Sequence, residues 1–166
     1  TLDFLDFTLT TVEVHRPTRV FATIFSLMAF GGGLFALPFD PNKSKEEVEK
    51  IEKQRRIELP GAFVYAGSAV CVTFAGDLFT MLVYWELMAI GSTLVVFAAG
   101  TPESRRAGIR YVNVHLVGGV VLMIGIVMHY MNTGSLDIET LTIFDSSALA
   151  QGEVAARWLM LIGILI

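Results

Sequence analysis

A chain of 166 residues that is 54% hydrophobic and only 17% charged, with a mean hydropathy of +0.62, carries too little polar surface for a water-soluble globule of this size. The formal charge of −4 gives no basic surface for nucleic acid, and the single cysteine, Cys71, leaves no internal disulfide or cysteine metal site. Thr1 opens the chain without a basic leader and cleavage site, and Ile166 closes it inside an apolar run, so the expectation is an internal piece of a longer membrane protein.

The first apolar run covers residues 20–39, close to the roughly 20 residues that cross a bilayer core. Gly31, Gly32 and Gly33 fall inside it, as small residues that permit close helix packing in lipid. Residues 40–58 follow as a charged loop holding Lys43, Lys45, Lys50, Lys53, Arg55 and Arg56. Within it, Glu46/Lys50 and Glu49/Lys53 stand four apart and predict a short solvated helix. A second run, 59–76, is lined by Gly61, Ala62, Ala66, Gly67, Ser68 and Ala69, and is joined to a third, 78–99, by almost nothing. Gly76 and Asp77 must therefore form a tight turn between two adjacent antiparallel helices. Asp77 has two readings there, a cap on the exposed amides of the third helix or a point of ion access.

Glu86 lies eight positions into the third run, about 12 Å along a helix from its start. A carboxylate at that depth costs about 2.5–3.5 kcal/mol on insertion scales unless paired, hydrated or protonated, and intramembrane acids mark functional sites by default. Burial favours its neutral form and a nearby cation its charged form, so a positive partner that approaches and withdraws would make Glu86 take up and release a proton. No Lys or Arg lies inside an apolar run here, so that partner is expected from outside the chain. The structural alternative is a neutral Glu86 hydrogen-bonded to a hydroxyl such as Thr93.

Residues 100–110 carry Arg105, Arg106 and Arg110, and the fourth run covers 111–131. His115, Gly118, Leu122, Gly125 and His129 recur there at spacings of three and four and form one seam facing another helix. His115, with a side chain that titrates near neutrality, is a second relay candidate; His129 reads as interfacial. The same pair also has the spacing of two axial haem ligands, but that reading needs a second helix with matching histidines, and only His15 remains. A connection, 132–157, leads to a fifth run that begins at 158 and is cut off at 166. If each run crosses once, nine of the 12 basic residues lie on one side, which is then cytoplasmic. The fold class expected is an all-α polytopic transmembrane bundle, one incomplete domain with four complete spans and the start of a fifth.

Residues 75–88 (AGDLFTMLVYWELM), joining an Asp-Leu turn to a Trp-Glu pair, resemble the signature of the proton-translocating antiporter family, which includes the large membrane subunits of complex I and the A-type and D-type subunits of multi-subunit cation/proton antiporters. Residues 110–119 (RYVNVHLVGG) and 133–136 (TGSL) are similar to the same family and lean towards its D-type members, with 25–30 (FSLMAF) as weaker support. The resemblance implies a proton-translocating subunit of a complex I-like or Na+(K+)/H+ antiporter assembly in a bacterial inner membrane. Its partners would be lipid, other membrane subunits, protons and either Na+ or K+, with no cofactor, no bound metal and no catalytic site of its own. It also implies that Glu86 pairs with a lysine on the helix beginning at 158, shortly beyond Ile166. The relay candidates are Glu86, His115 and Asp77, in that order. A membrane scaffold that has lost transport is the alternative.

Overall fold

The computed structural model of the chain describes residues 2–4, 7–36, 44–141 and 151–166. It is an all-α bundle of five helices: α1 (Arg16–Phe35), α2 (Lys45–Phe74), α3 (Leu78–Ala98), α4 (Pro102–Thr133) and α5 (Gln151–Leu165). Four of them, α1 to α4, are long and apolar enough to cross a membrane. Two three-residue strands, β1 (Leu2–Phe4) and β2 (Phe7–Leu9), pair antiparallel before α1.

Two helices outrun the apolar segments that announce them. Residues 45–58, expected as part of a loop with its own short helix, instead run unbroken into the second apolar segment as the 30-residue α2. Ser44 starts α2 by accepting a hydrogen bond from the Glu47 amide while the Glu47 carboxylate accepts from the Ser44 amide, a reciprocal cap. Pro60 is accommodated inside it. Likewise α4 begins not at 111 but at Pro102, behind a Thr101 cap on Ser104 N–H. Proline at the first helical position lacks only an amide that would go unpaired. Gly134, at φ +71°, ends α4 in the left-handed conformation that a glycine adopts without strain.

Close backbone approach at glycines builds two tight helical hairpins. A Cβ on Gly91 would sit 2.5 Å from the Tyr65 amide nitrogen and 2.8 Å from the Gly61 carbonyl, so α2 and α3 touch through their main chains. On α4 and α5, a Cβ on Gly163 would lie 2.5 Å from the Leu122 nitrogen, and one on Gly125 2.8 Å from the Met160 nitrogen. Between the hairpins lies a core of Leu78, Leu82, Leu122, Ile126 and Met160, with Met81, Trp85 and Leu136 against it.

The turn between α2 and α3 is held from both sides. Gly76 N–H donates to the Thr10 carbonyl (3.0 Å) and Leu78 N–H to the Leu136 carbonyl (2.9 Å), so the segment before α1 and the segment after α4 converge on it. By contrast α1 is peripheral, with only 6% of its apolar window buried. The glycine triplet does not serve close packing within the described chain: a Cβ on Gly31 or Gly32 meets nothing within 4 Å, and one on Gly33 only the tip of Phe63 at 3.8 Å. The helix passes through all three without a break.

Candidate functional site

Glu86 sits near the middle of α3 on the side turned to α4, and the residue opposite it is His115. Glu86 Oε2 lies 3.6 Å from His115 Nε2, an ion-pair contact when the imidazole is protonated but longer than a formed hydrogen bond. Among the described residues that nitrogen has no hydrogen-bond partner although it is buried, and the carboxylate stands within ion-pair distance of it. The imidazole lies nearly parallel to the rings of Trp85 (centroids 6.4 Å apart, 19° between planes) and Tyr111 (6.0 Å, 23°). The Tyr111 hydroxyl is in turn 2.7 Å from Ser92 Oγ, which also donates to the Ala89 carbonyl at 2.9 Å.

Space for the Glu86 carboxylate comes from Gly119. A Cβ built on Gly119 would collide with Glu86 Oε1, so α4 must present a glycine at this level for the side chain to lie where it does. A cleft of about 360 Å³, lined by Glu86, Thr93, Phe97 and His115 among others, opens beside the pair. The Glu86 side chain is 39% exposed and that of His115 16%, so the carboxylate faces the cleft and the imidazole is enclosed. Thr93 does not take the place that the structural alternative gives it as partner of Glu86: its hydroxyl donates to the Ala89 carbonyl at 2.7 Å.

Asp77 is not brought to this pair. It stands nine residues earlier, about 14 Å along the helix, where it caps α3. Its Oδ1 accepts from the Thr80 amide (2.7 Å) and its Oδ2 from the Thr80 hydroxyl (2.7 Å), and the residue is almost wholly buried.

The seam expected on α4 divides between two neighbours. Gly118, Leu122 and Gly125 pack on α5, whereas His115 turns to α3. His129, read as interfacial, is fully buried within the bundle, with Nδ1 2.7 Å from Glu153 Oε1. Arg157 Nε donates to the same oxygen at 2.9 Å. Glu153 and Arg157, which the sequence places in a connection, belong to α5, one turn apart on one face. Their four-residue spacing, opposite in charge, is the signal that points to a helix there. Gly119 is visible in the sequence only as part of the string from 110 to 119.

His15 lies before α1, where its Nε2 is 3.2 Å from Glu13 Oε1 and 4.0 Å from Glu139 Oε1. These three groups hold ligand-type atoms within 4.8 Å of one another, but His15 and Glu139 are exposed, and solvated surface ion pairs account for them. Among the described contacts, none brings His15 to His115 or His129 to complete a haem-type set.

The family model described as NADH:quinone oxidoreductase/Mrp antiporter, TM, matches residues 75–166, more than half of the chain. The chain is 26% identical to the D subunit of the Na(+)/H(+) antiporter of Alkalihalophilus pseudofirmus over 124 residues, covering 75% of this chain and 24% of that protein. It is 31% identical to the N subunit of the NADH-quinone oxidoreductase of Desulfitobacterium hafniense over 121 residues, 72% of this chain and 24% of that protein. Identity to the D subunit of the Na(+)/H(+) antiporter of Bacillus subtilis is 30% over 87 residues, 52% and 18% respectively. The chain thus spans a quarter or less of the length of these relatives. The matched region contains Asp77, Glu86, His115, Gly119, His129 and Glu153.

Proposed function

Because the chain belongs to the NADH:quinone oxidoreductase/Mrp antiporter transmembrane family and is an integral membrane protein of apolar helices, we propose that it is part of a proton-translocating subunit of a multi-subunit complex, and that Glu86 and His115 are members of its proton path. The observation that carries this is the mid-helix carboxylate 3.6 Å from an enclosed, stacked imidazole, with a glycine making room for it. Imidazole changes charge near neutral pH, and a carboxylate in a low-dielectric site responds strongly to a neighbouring charge. Protonation of His115 draws the negative charge of Glu86 towards it; loss of that proton releases the carboxylate to the cleft. A lysine supplied by the rest of the subunit would compete with His115 for Glu86, giving the acid two positions and the proton a direction.

In this reading the ends of α2 and α4 that carry Lys45 to Arg56 and Arg105 to Arg110 face the cytoplasm, by the excess of basic residues there. The connection after α4 and the α2–α3 turn face outwards. The similarity to antiporter sequences of the D type favours a cation/proton antiporter over a quinone reductase as the parent assembly, in a bacterial plasma membrane, with Na+ or K+ as the exchanged ion. Asp77 enters as the cap that sets the start of α3, not as a carrier.

The test is Glu86→Gln in the full-length subunit within its complex. The amide keeps the size and hydrogen-bonding of the side chain but cannot exchange a proton, so proton-coupled transport should be abolished while the complex still assembles. Wild-type turnover in this variant overturns the reading and leaves a scaffold role.

A further inference from the structure

A directional contact that the relay itself does not use crosses from α3 to α4: the hydrogen bond between Ser92 and Tyr111. We propose that Tyr111, anchored through Ser92, is a positioning residue that sets the distance between His115 and Glu86. The inference rests on the relay reading of that pair.

Both hydroxyls belong to helices of membrane-spanning length and apolarity, where an unbonded polar group is costly. The Ser92 hydroxyl gives its one hydrogen to the Ala89 carbonyl at 2.9 Å, so across the 2.7 Å contact the phenol donates and the serine oxygen accepts. Tyr111 on α4 is thereby tied to an oxygen that is itself held against the main chain of α3. The ring needs such a tie. Tyr111 is 40% exposed, so packing holds it from one side only, and a phenylalanine in its place would have nothing to bind it to α3.

The tie reaches the relay through the ring. Tyr111 precedes His115 by four residues and shares its face of α4, and the two rings lie 6.0 Å apart with 23° between their planes. His115 Nε2 has no hydrogen-bond partner among the described residues, so no bond from that nitrogen holds the imidazole in place. The neighbouring rings are left to do so. Trp85, the other ring beside it, comes from α3 and packs against the apolar core. Tyr111 is the neighbour whose place depends on a single bond between the two helices.

Three successive levels of the antiparallel α3–α4 contact show what that bond decides. Phe97 lies against Gly108, Ser92 meets Tyr111, and Glu86 stands opposite His115 and against Gly119. At the first and last levels a side chain lodges against a glycine: a Cβ on Gly108 would sit 2.5 Å from the Phe97 ring, and one on Gly119 would fall on the Glu86 carboxylate. Contacts of this kind tolerate a small slide of one helix along the other. A hydroxyl bond does not, since it is lost once the oxygens separate by more than about half an ångström. The middle level therefore fixes the register of α4 on α3. From it, His115 is about 6 Å along α4 and Glu86 about 9 Å along α3, so a slide at Ser92 passes to the pair almost undiminished.

The experiment uses the full-length subunit in its complex, with proton-coupled turnover measured per assembled complex in vesicles and thermal denaturation followed in parallel. Tyr111→Phe keeps the ring beside the imidazole and loses the bond; Ser92→Ala loses the same bond from α3; Ser92→Thr keeps a hydroxyl there. Glu86→Gln is run beside them. Tyr111→Phe and Ser92→Ala should each lower turnover by about threefold to fivefold at unchanged melting temperature. The double variant should fall no further than either single one, and Ser92→Thr should restore the wild-type rate. Wild-type turnover in Tyr111→Phe with Glu86→Gln inactive refutes the anchor and leaves the relay standing. Losses that multiply in the double variant refute it as well, because the two residues then act separately. A parallel fall in melting temperature, or failure of both single variants to assemble, makes the bond a clamp of the bundle and overturns the positioning role. Activity in Glu86→Gln removes the relay reading, and the anchor with it.

Discussion

Gly119→Ala separates the role of Glu86 from the stability of the bundle. The added methyl falls on Glu86 Oε1. To reach ordinary contact, the carboxylate has to retreat by ~1 Å or more. What it meets is the far end of a flexible side chain rather than backbone, so α3 and α4 need not move apart. A helix-interior Gly→Ala change gains about 1 kcal/mol in propensity, which offsets the loss of packing. Folded stability is therefore expected to change by less than ~1 kcal/mol. The functional effect is read separately. Glu86 and His115 at 3.6 Å make an ion-pair contact with a carboxylate that is more than a third exposed, worth up to about 1 kcal/mol, so its loss corresponds to a drop of up to about fivefold in proton-coupled transport. The assay pairs thermal denaturation of the purified complex with transport in vesicles at matched protein. Wild-type transport in Gly119→Ala would show that the carboxylate does not need the place the glycine reserves. A parallel fall in melting temperature and transport would assign the effect to packing.

Gly91→Leu forces a side chain against the Tyr65 backbone and should cost at least the ~1–3 kcal/mol of an overpacked interface, read as loss of assembled complex; normal yield would refute the close α2–α3 contact. Asp77→Ala removes both carboxylate bonds to Thr80 and should cost ~0.5–2 kcal/mol in thermal stability. Transport per assembled complex should be kept, and its loss at unchanged stability would restore Asp77 to the proton path. Arg157→Ala leaves Glu153 buried beside His129 without its guanidinium; breaking a buried pair costs about 3–5 kcal/mol, so denaturation should shift far more than for Arg105→Ala, an exposed change at the other end.

The helices themselves are legible in the sequence because lipid demands long apolar runs, and the glycine-aspartate turn forces α2 and α3 together. Their ends are not. Apolarity marks where lipid lies, whereas hydrogen bonding continues wherever no residue breaks it, so α2 extends back to Lys45 and α4 to Pro102 through charged sequence. Glu86 and His115 are each visible as polar groups in apolar surroundings. Their pairing is not, since it depends on how α4 rotates about its axis against α3. A search for the partner of Glu86 among Lys and Arg alone passes over the histidine that faces it. His129 reads as interfacial only while Glu153 and Arg157 belong to a loop; once α5 starts at Gln151, the same residues bury it.

The position of the Glu86–His115 contact follows from the unequal packing of the bundle. Backbone contact at Gly61 and Gly91 makes α2 and α3 one stiff hairpin, and contact at Gly118, Gly125 and Gly163 makes α4 and α5 another. The α3–α4 interface between them is less extensive than either. Van der Waals contact is what holds helices together in lipid, so this interface resists sliding less than the contact within either hairpin. Glu86 and His115 stand on its two sides, with Trp85 and Tyr111 stacked on the imidazole from opposite hairpins. A displacement of one hairpin against the other by ~1 Å would take 3.6 Å either to a formed hydrogen bond or beyond reach. The same displacement within either hairpin would require glycine-tight backbones to part. In the proposed relay, an acid-base contact at this boundary between two rigid units would convert small helix movement into a change of proton affinity, which is what coupling to a distant event requires.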